Sequence, residues 1–341
     1  MGLDRWLLPE GVEEILPPES WRLEAMRRRL LDLYRRRGYE LIVPPLIEYL
    51  DSLLTGAGHD LELQTFKLTD QMSGRLMGVR ADMTPQAARI DANRLKSGGP
   101  ARLCYIGTVL RTLPDGLGGS RCPQQVGVEL FGEPGIEGDL EIVSLMLETL
   151  AACGIRNVHL DLGHVGIYRA LAAQAGFSDE QEEELFGVLQ RKSRPDLEAF
   201  LRAHRPPGRT NRWLESLIEL NGDTTMLASA RQQLKGAGRA VSSALDVVER
   251  MAECLRKQAP KVPLHVDLAE LRGYRYKTGV VFAAFVPGQG RELARGGRYD
   301  AAGRVFGRAR AATGFSADMA MLLRLSRPVA GRAARAKKLK P

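Results

Sequence analysis

Cysteine is scarce in this sequence, and no two cysteines are close enough to form a paired motif. The 341 residues contain Cys104, Cys122, Cys153 and Cys254, with no CxxC pair. This spacing argues against a zinc site and against the disulfide framework of a secreted protein. The five histidines show no zinc-ligand spacing either, so no metal ion is expected. We expect reduced, buried thiols in a cytoplasmic protein.

Long apolar runs and targeting patterns are also missing. No uninterrupted apolar stretch approaches the roughly 18 residues that span a membrane, and the first residues lack the organisation of a signal peptide. The glycine-rich residues 115–119 do not follow the strand–GxxxxGK[ST]–helix order of a P-loop, so a hairpin loop is expected there. From these absences we expect no membrane association and no bound cofactor.

Positive charge is concentrated at the end of the chain. The formal net charge is +8, and the last sixteen residues hold six lysines or arginines and no acid, which leaves +2 for the rest. A short basic segment of this composition is typical of a disordered tail rather than of a folded binding platform. Nucleic acid is therefore not expected as a partner, although RNA binding by the tail stays an alternative.

Residues 125–130 alternate strictly between polar or small and apolar side chains. This period of two predicts a half-buried strand whose apolar residues face a core. Gln125, Gly127 and Glu129 then share the opposite face, where the glycine between an amide and a carboxylate would leave room for a small polar ligand. The simpler alternative is a strand face that is merely solvated.

The preceding part of the chain predicts a helix, a broken strand and a strand–helix junction. Ser20 is expected to cap an amphipathic helix that ends at Gly38. Pro44 and Pro45 interrupt the strand that follows, which favours a sheet edge or an interface. At the junction, Thr84 is expected to cap the next helix.

The predicted secondary structure changes after residue 163. Residues 164–260 carry almost only helical patterns, including the capping box Ser178-x-x-Gln181. Strands resume afterwards, with a glycine-rich turn at 295–300 and a last helix near 314–325. The predicted domains are residues 1–162 and 261–325 as two parts of one core, 163–260 as a helical insertion, and 326–341 as the basic tail.

Residues 106–132 resemble motif 2 of the class II aminoacyl-tRNA synthetases in its histidyl form, which pairs an arginine-bearing strand with a strand ending in Gln-x-Gly-x-Glu. The resemblance implies that Arg111 would bind the α-phosphate of ATP and that Gln125 and Glu129 would hold the amino group of histidine. The family places a glutamate that engages ATP two residues after its arginine. Here that position is Leu113, which cannot replace a carboxylate.

The resemblance extends to four further segments. Asp82 and Thr84 occupy positions that contact the amino acid in the histidyl family. Residues 271–282 are similar to its specific motif, and residues 294–300 to its glycine-rich segment. In motif 3, Ala320-Met321 replaces the family's Glu-Arg pair, whose arginine binds the γ-phosphate. These matches place Arg272 as the catalytic arginine, Tyr276 as the first of two tyrosines, Lys277 in place of the second, and Tyr299 at the lip of the pocket.

Together the motifs imply a class II synthetase-like α+β fold, an antiparallel sheet flanked by helices with a helical insertion. Damaged ATP motifs without a following anticodon-binding domain are similar to the regulatory subunits of short-form ATP phosphoribosyltransferase. That family implies no chemistry by this chain, a homodimer within a hetero-oligomer with catalytic subunits, and histidine as allosteric ligand. A histidine-tRNA ligase and an RNA-binding synthetase paralogue are the alternatives. The predicted histidine site comprises Asp82, Thr84, Arg111, Gln125, Glu129, Arg272, Tyr276 and Tyr299.

Overall fold

A mixed sheet forms the centre of the computed structural model of the protein. The structure describes residues 7–55, 59–95, 98–116, 119–271, 273, 276–300, 307 and 309–326. Within these residues the sheet has nine strands. In order across the sheet they are β1 (Glu40–Leu41), β5 (Ala101–Thr108), β6 (Gln124–Phe131), β12 (Ala312–Asp318), β11 (Ala294–Arg298), β10 (Val280–Phe285), β7 (His159–His164), β9 (Leu264–Asp267) and β8 (Asn221–Asp223).

Most neighbours in this sheet are antiparallel. Among the described strands, the parallel pairs are β1 with β5 and β7 with β9. A smaller antiparallel sheet contains β2 (Ile47–Tyr49), β4 (Leu76–Val79) and β3 (Phe66–Thr69), in that order. The predicted antiparallel sheet is therefore confirmed, and the interruption at the two prolines separates β1 from β2, which belong to different sheets.

Helices flank the sheets, and most of the chain that links β7 to β9 in sequence is helical. None of the described helices is long and apolar enough to cross a bilayer. The helices are α1 (Glu19–Arg36), α2 (Leu50–Leu54), α3 (His59–Gln64), α4 (Thr84–Ile90), α5 (Ile136–Ala152), α6 (Val165–Ala175), α7 (Asp179–Gln190), α8 (Arg194–His204), α9 (Gly208–Leu217), α10 (Met226–Gln233), α11 (Arg239–Gln258) and α12 (Met319–Leu325).

The two faces of β6 separate the core from the site. Val126, Val128 and Leu130 are fully buried in a cluster with α1 and α5 residues, as the alternation predicts. On the opposite face Gln125 and Glu129 are buried as well, at 4% and 1% exposure, because α4 packs over β6 there. The polar face is therefore an interior surface and not a solvated one.

Two predicted helix caps differ from the structure, and one is confirmed. Helix α1 begins at Glu19 behind Pro18, so Ser20 lies inside the helix and does not cap it. At α4, Thr84 is already helical, and its amide donates to the carboxylate of Asp82. The capping box of Ser178 and Gln181 is present at the start of α7.

Two glycine-containing segments are strands where a turn and a helix were predicted. Gly296 and Gly297 belong to β11, and Gly314 to β12. A Cβ on Gly296 would lie 2.3 Å from the Gly314 carbonyl oxygen and 2.4 Å from the Phe282 ring. The glycine is therefore required for close packing of neighbouring strands, and no turn forms there. The last helix is correspondingly short and begins at Met319.

Candidate functional site

A cavity of about 310 Å³ opens on the polar face of the sheet, between α4 and β10–β12. Of the predicted site, Asp82, Thr84, Glu129 and Tyr276 line this first cavity. Tyr299 is completely buried and stacks on Tyr276, with ring centroids 4.9 Å apart. These residues come from separate parts of the chain, so the sheet and the α4 junction together bring them to one place.

Asp82 is fixed at one end of the first cavity by Gln125. The Gln125 amide nitrogen donates to Asp82 Oδ1 at 2.8 Å, and its amide oxygen accepts from the Met83 backbone N–H at 2.9 Å. Burial acts to raise the pKa of Asp82, but the hydrogen bonds from Thr84 and Gln125 and the charge of Arg111 hold the pKa below its ordinary value. Asp82 is consequently a preoriented carboxylate suited to an ammonium group.

Glu129 lies at the other end, held by two tyrosines. Tyr105 donates its hydroxyl to Glu129 Oε1 at 2.9 Å, and Tyr299 donates to Oε2. Burial raises the pKa of Glu129 to about 7, although these hydrogen bonds and the charge of Lys277 act to lower it. The carboxyl group is thus an acceptor whose charge changes near neutral pH.

Two glycines make room for the side chains that build this end. Tyr105 pairs across the sheet with Gly127, where a Cβ would lie 2.5 Å from the tyrosine hydroxyl. Gly314 pairs with Glu129, and a Cβ there would lie 1.7 Å from Glu129 Oε2. The space beside Gly127 is therefore filled by the protein's own tyrosine, which corrects the expectation that it holds a ligand.

Lys277 enters the same end of the cavity. Its Nζ donates to the Gly297 carbonyl oxygen at 3.2 Å and lies 5.1 Å from the centre of the Tyr299 ring. Burial lowers the pKa of Lys277 to about 8, while Glu129 and Asp82 act to raise it. The cavity therefore contains an ammonium where the histidyl motif has a tyrosine.

A second cavity of about 230 Å³ adjoins the first and contains Arg111 and Gln125. Asp115 and Arg295 line both cavities. Asp115 Oδ2 lies 3.3 Å from Arg111 Nη1 and 3.0 Å from Arg295 Nη2. Arg111 is therefore engaged by a carboxylate of the chain itself.

Residues 113 and 321, where the resemblance to the synthetase motifs predicts ATP contacts, are both apolar. Leu113 is 68% exposed, in the segment between β5 and β6. Met321 lines the second cavity beside Asp318, whose carboxylate caps α12 by accepting from the Ala320 amide. The charged residues that line this cavity are Arg111, Asp115, Arg291, Glu292, Arg295 and Asp318.

The remaining predicted residue, Arg272, lies outside the described residues, as does the predicted basic tail from residue 327 onward. Sequence reasoning missed Tyr105 and Arg295. The strand pattern of residues 101–108 is visible in the sequence, but the role of Tyr105 depends on which residue faces it on β6. Arg295 is the first residue of the predicted glycine-rich turn, and only the register of β11 turns it toward the cavities.

Comparison with known proteins agrees with this architecture. The histidyl-tRNA synthetase family model matches residues 11–322. The ATP phosphoribosyltransferase regulatory subunit of Thioalkalivibrio sulfidiphilus is 61% identical over 323 residues, which cover 95% of this chain and 82% of that protein. The protein of the same name from Methylococcus capsulatus is 58% identical, with 95% and 80% covered.

A solved structure shares the fold. The crystal structure of an ATP phosphoribosyltransferase regulatory subunit/histidyl-tRNA synthetase from Bacillus halodurans has a TM-score of 0.84 and 27% identity, and the match covers 95% of this chain and 84% of that one. The class II synthetase-like fold is thereby confirmed. This chain belongs to the family of ATP phosphoribosyltransferase regulatory subunits, whose members carry the histidyl-tRNA synthetase fold.

Proposed function

We propose that this protein binds separate catalytic subunits of short-form ATP phosphoribosyltransferase and performs no chemistry itself. The assembled enzyme would condense ATP with phosphoribosyl pyrophosphate, the first step of histidine biosynthesis. The names of the 61% and 58% identical relatives support the regulatory role. In this reading the chain enables catalysis by its partner and transmits inhibition by histidine.

The contrast between the two cavities carries the proposal. The first cavity keeps an ordered set of carboxylate, amide and tyrosine groups for a small zwitterion. Leu113 and Met321 stand at the positions where the synthetase pattern has charged ATP contacts, and Arg111 is already ion-paired with Asp115. Losing two preorganised electrostatic groups costs on the order of 10⁴–10⁶ in rate, allowing for non-additivity.

Histidine is the ligand we propose for the first cavity. Asp82 would accept from its ammonium group and Glu129 from an imidazole N–H. Since Arg111 is already paired with Asp115, Arg272 is the better candidate for the carboxylate. Binding would shift the complex toward an inactive arrangement with a coupling free energy of about 1–3 kcal/mol. The interface with the catalytic subunit is the alternative location of the histidine site.

We also propose a homodimer within the complex. An exposed apolar segment runs from the edge strand β1 into β2. Isolated apolar residues on a surface are ordinary, but a contiguous apolar stretch indicates a protein interface, and the prolines within this one favour an edge that is covered. The exposed apolar residues are Leu41, Val43, Leu46, Ile47 and Tyr49.

Reconstitution with a short-form catalytic subunit tests the function. Phosphoribosyl transfer should be low for the catalytic subunit alone, rise when this protein is added, and fall again when histidine is added. No activation and no histidine response would defeat the proposal. Histidine-dependent ATP–pyrophosphate exchange at the level of a ligase would instead establish a histidine-tRNA ligase.

A further inference from the structure

Backbone contacts hold Lys277 in the first cavity, and its ammonium makes no ion pair with any residue that the structure describes. The backbone N–H of Lys277 donates to the Gly273 carbonyl oxygen at 2.8 Å. A Cβ built on Gly273 would lie 3.4 Å from Lys277 Cγ, and one on Gly297 would lie 3.3 Å from Lys277 Cδ. The lysine stem therefore runs between two glycines, and its ammonium is directed by the fold to the end of the cavity that holds Glu129.

Hydrogen-bonding capacity is left over at this end of the cavity. In the described part of the chain, the Lys277 ammonium makes one hydrogen bond, to the Gly297 carbonyl, and an ammonium has three donors. Among the same residues, the buried hydroxyl of Tyr276 makes none. Lys277 and Glu129 are close enough for each charge to act on the other, but no contact within 4 Å joins them in the described structure.

We infer that Lys277 is a specificity-determining residue, donating to an acceptor on the ligand's side chain while Glu129 accepts from a donor on that side chain. This inference rests on the proposed function and deepens it. The matching ligand is a small amino acid whose side chain is neutral and carries both a donor and an acceptor. Neutral imidazole meets this requirement with one N–H and one bare ring nitrogen.

Other side-chain classes leave a defect at this end. A cationic side chain would face the Lys277 ammonium, and an anionic one would face the Glu129 carboxyl group. An apolar side chain of similar size would leave the donor and the acceptor unpaired after water is displaced, which lowers affinity by the cost of burying unsatisfied polar groups. Lys277 and Glu129 therefore select the ligand's side chain by its hydrogen-bonding pattern as well as by its size.

The test compares ring analogues of histidine at pH 7.5, where free imidazole, with a pKa of roughly 6.5, is mostly neutral. The two thiazolylalanine isomers keep a ring nitrogen acceptor but lack the N–H, and thienylalanine has neither. Calorimetric Kd values on the full chain should rise from histidine to the better thiazolylalanine isomer, and again from that isomer to thienylalanine. Each step should be roughly tenfold to a hundredfold, the range for hydrogen bonds to charged groups.

Lys277→Met should abolish the rise in Kd from thiazolylalanine to thienylalanine, because only the preference for a ring acceptor depends on the ammonium. The rise in Kd from histidine to thiazolylalanine should remain. Lys235→Met, at an exposed position beyond α10, is the matched control and should keep both steps. Thermal melts check that each variant is folded. A Lys277→Met protein that still prefers thiazolylalanine to thienylalanine overturns the inference and leaves histidine binding intact.

The wild-type series decides the matter even if the variant fails to fold. Equal Kd values for the better thiazolylalanine isomer and thienylalanine in the wild-type protein would overturn the role of Lys277. No wild-type binding of histidine at millimolar concentration would overturn both this inference and the proposed histidine site. The two failures are therefore distinguishable.

Discussion

Gln125 holds Asp82 from two sides: its amide nitrogen donates to the Asp82 carboxylate, and its amide oxygen accepts from the next backbone N–H along the chain. The two residues come from β6 and from the junction before α4. Orientation of a ligand-binding carboxylate by a second side chain determines how well it is placed before the ligand arrives. The strand and the junction are thus joined at the point where we propose that the ammonium of histidine binds.

Gln125→Glu should weaken histidine binding at least tenfold. The substitution replaces two amide donors with a carboxylate that faces Asp82, and like charges at this distance cannot both stay ionised without cost. Calorimetry at pH 7.5 measures the change. Gln233→Glu, on the exposed side of α10, is the control and should bind like the wild type. Unchanged affinity in the Gln125 variant would move the ligand away from Asp82.

Gly314→Ala should destabilise the fold by about 1–3 kcal/mol, the usual cost of overpacking a closed interior. The new Cβ would lie 1.7 Å from Glu129 Oε2 and 2.6 Å from the Val128 carbonyl oxygen, so β12 and the carboxylate must separate. Urea denaturation measures the free energy of unfolding. Gly290→Ala adds a Cβ in open space and serves as the control. Equal stability of both variants would contradict the close packing of β6 and β12.

Glu129 should make the free energy of unfolding fall between pH 5 and pH 7.5. Its pKa is about 7 in the folded chain against an ordinary value of 4.5, so within that window the folded state binds more protons than the unfolded state. Stability therefore decreases as pH rises. Glu129→Gln removes this titration, and its stability relative to the wild type should increase by about 1–3 kcal/mol from pH 5 to pH 7.5.

Urea midpoints at the two pH values measure this difference. Glu198→Gln, at an exposed carboxylate of α8, controls for the loss of a surface charge and should track the wild type at both. A Glu129→Gln protein with the same pH dependence as the wild type would mean that the carboxyl group is not titrating in this range.

Val43→Asp should convert the proposed homodimer to a monomer. Val43 is 84% exposed in the apolar segment between β1 and β2, and a carboxylate there would have to be buried without a partner in the dimer. Sedimentation velocity gives the mass. Leu16→Asp, at an exposed leucine before α1, is the control. A wild-type protein that sediments as a monomer at all concentrations would refute the dimer itself.

The fold was predictable where local patterns agree with tertiary packing. The strict alternation of residues 125–130 gives β6, and the Ser178–Gln181 pair gives the start of α7. Strands β11 and β12 were missed because they are rich in glycine and alanine, which have little strand preference of their own. Their conformation is imposed by neighbouring strands, and no local pattern records that.

The candidate site, too, was predictable from the sequence only in part. Asp82 and Glu129 could be named from the sequence because they fall within motifs, and their placement on the histidine stays a prediction. The use of Gly127 was misjudged because the register that sets Tyr105 opposite it depends on pairing between β5 and β6. Lys277 was visible as a departure from the motif, but its position opposite Glu129 required the structure.

Asp115 and Arg295 form an ion pair, and both side chains, like Ser316, line the two adjoining cavities. We expect a molecule of amino-acid length to contact one cavity, and a longer one to pass this ion pair on its way into the other. Ligand length should then affect affinity independently of side-chain chemistry. Compounds of graded length, screened against this chain, would sort into those that occupy one compartment and those that bridge both.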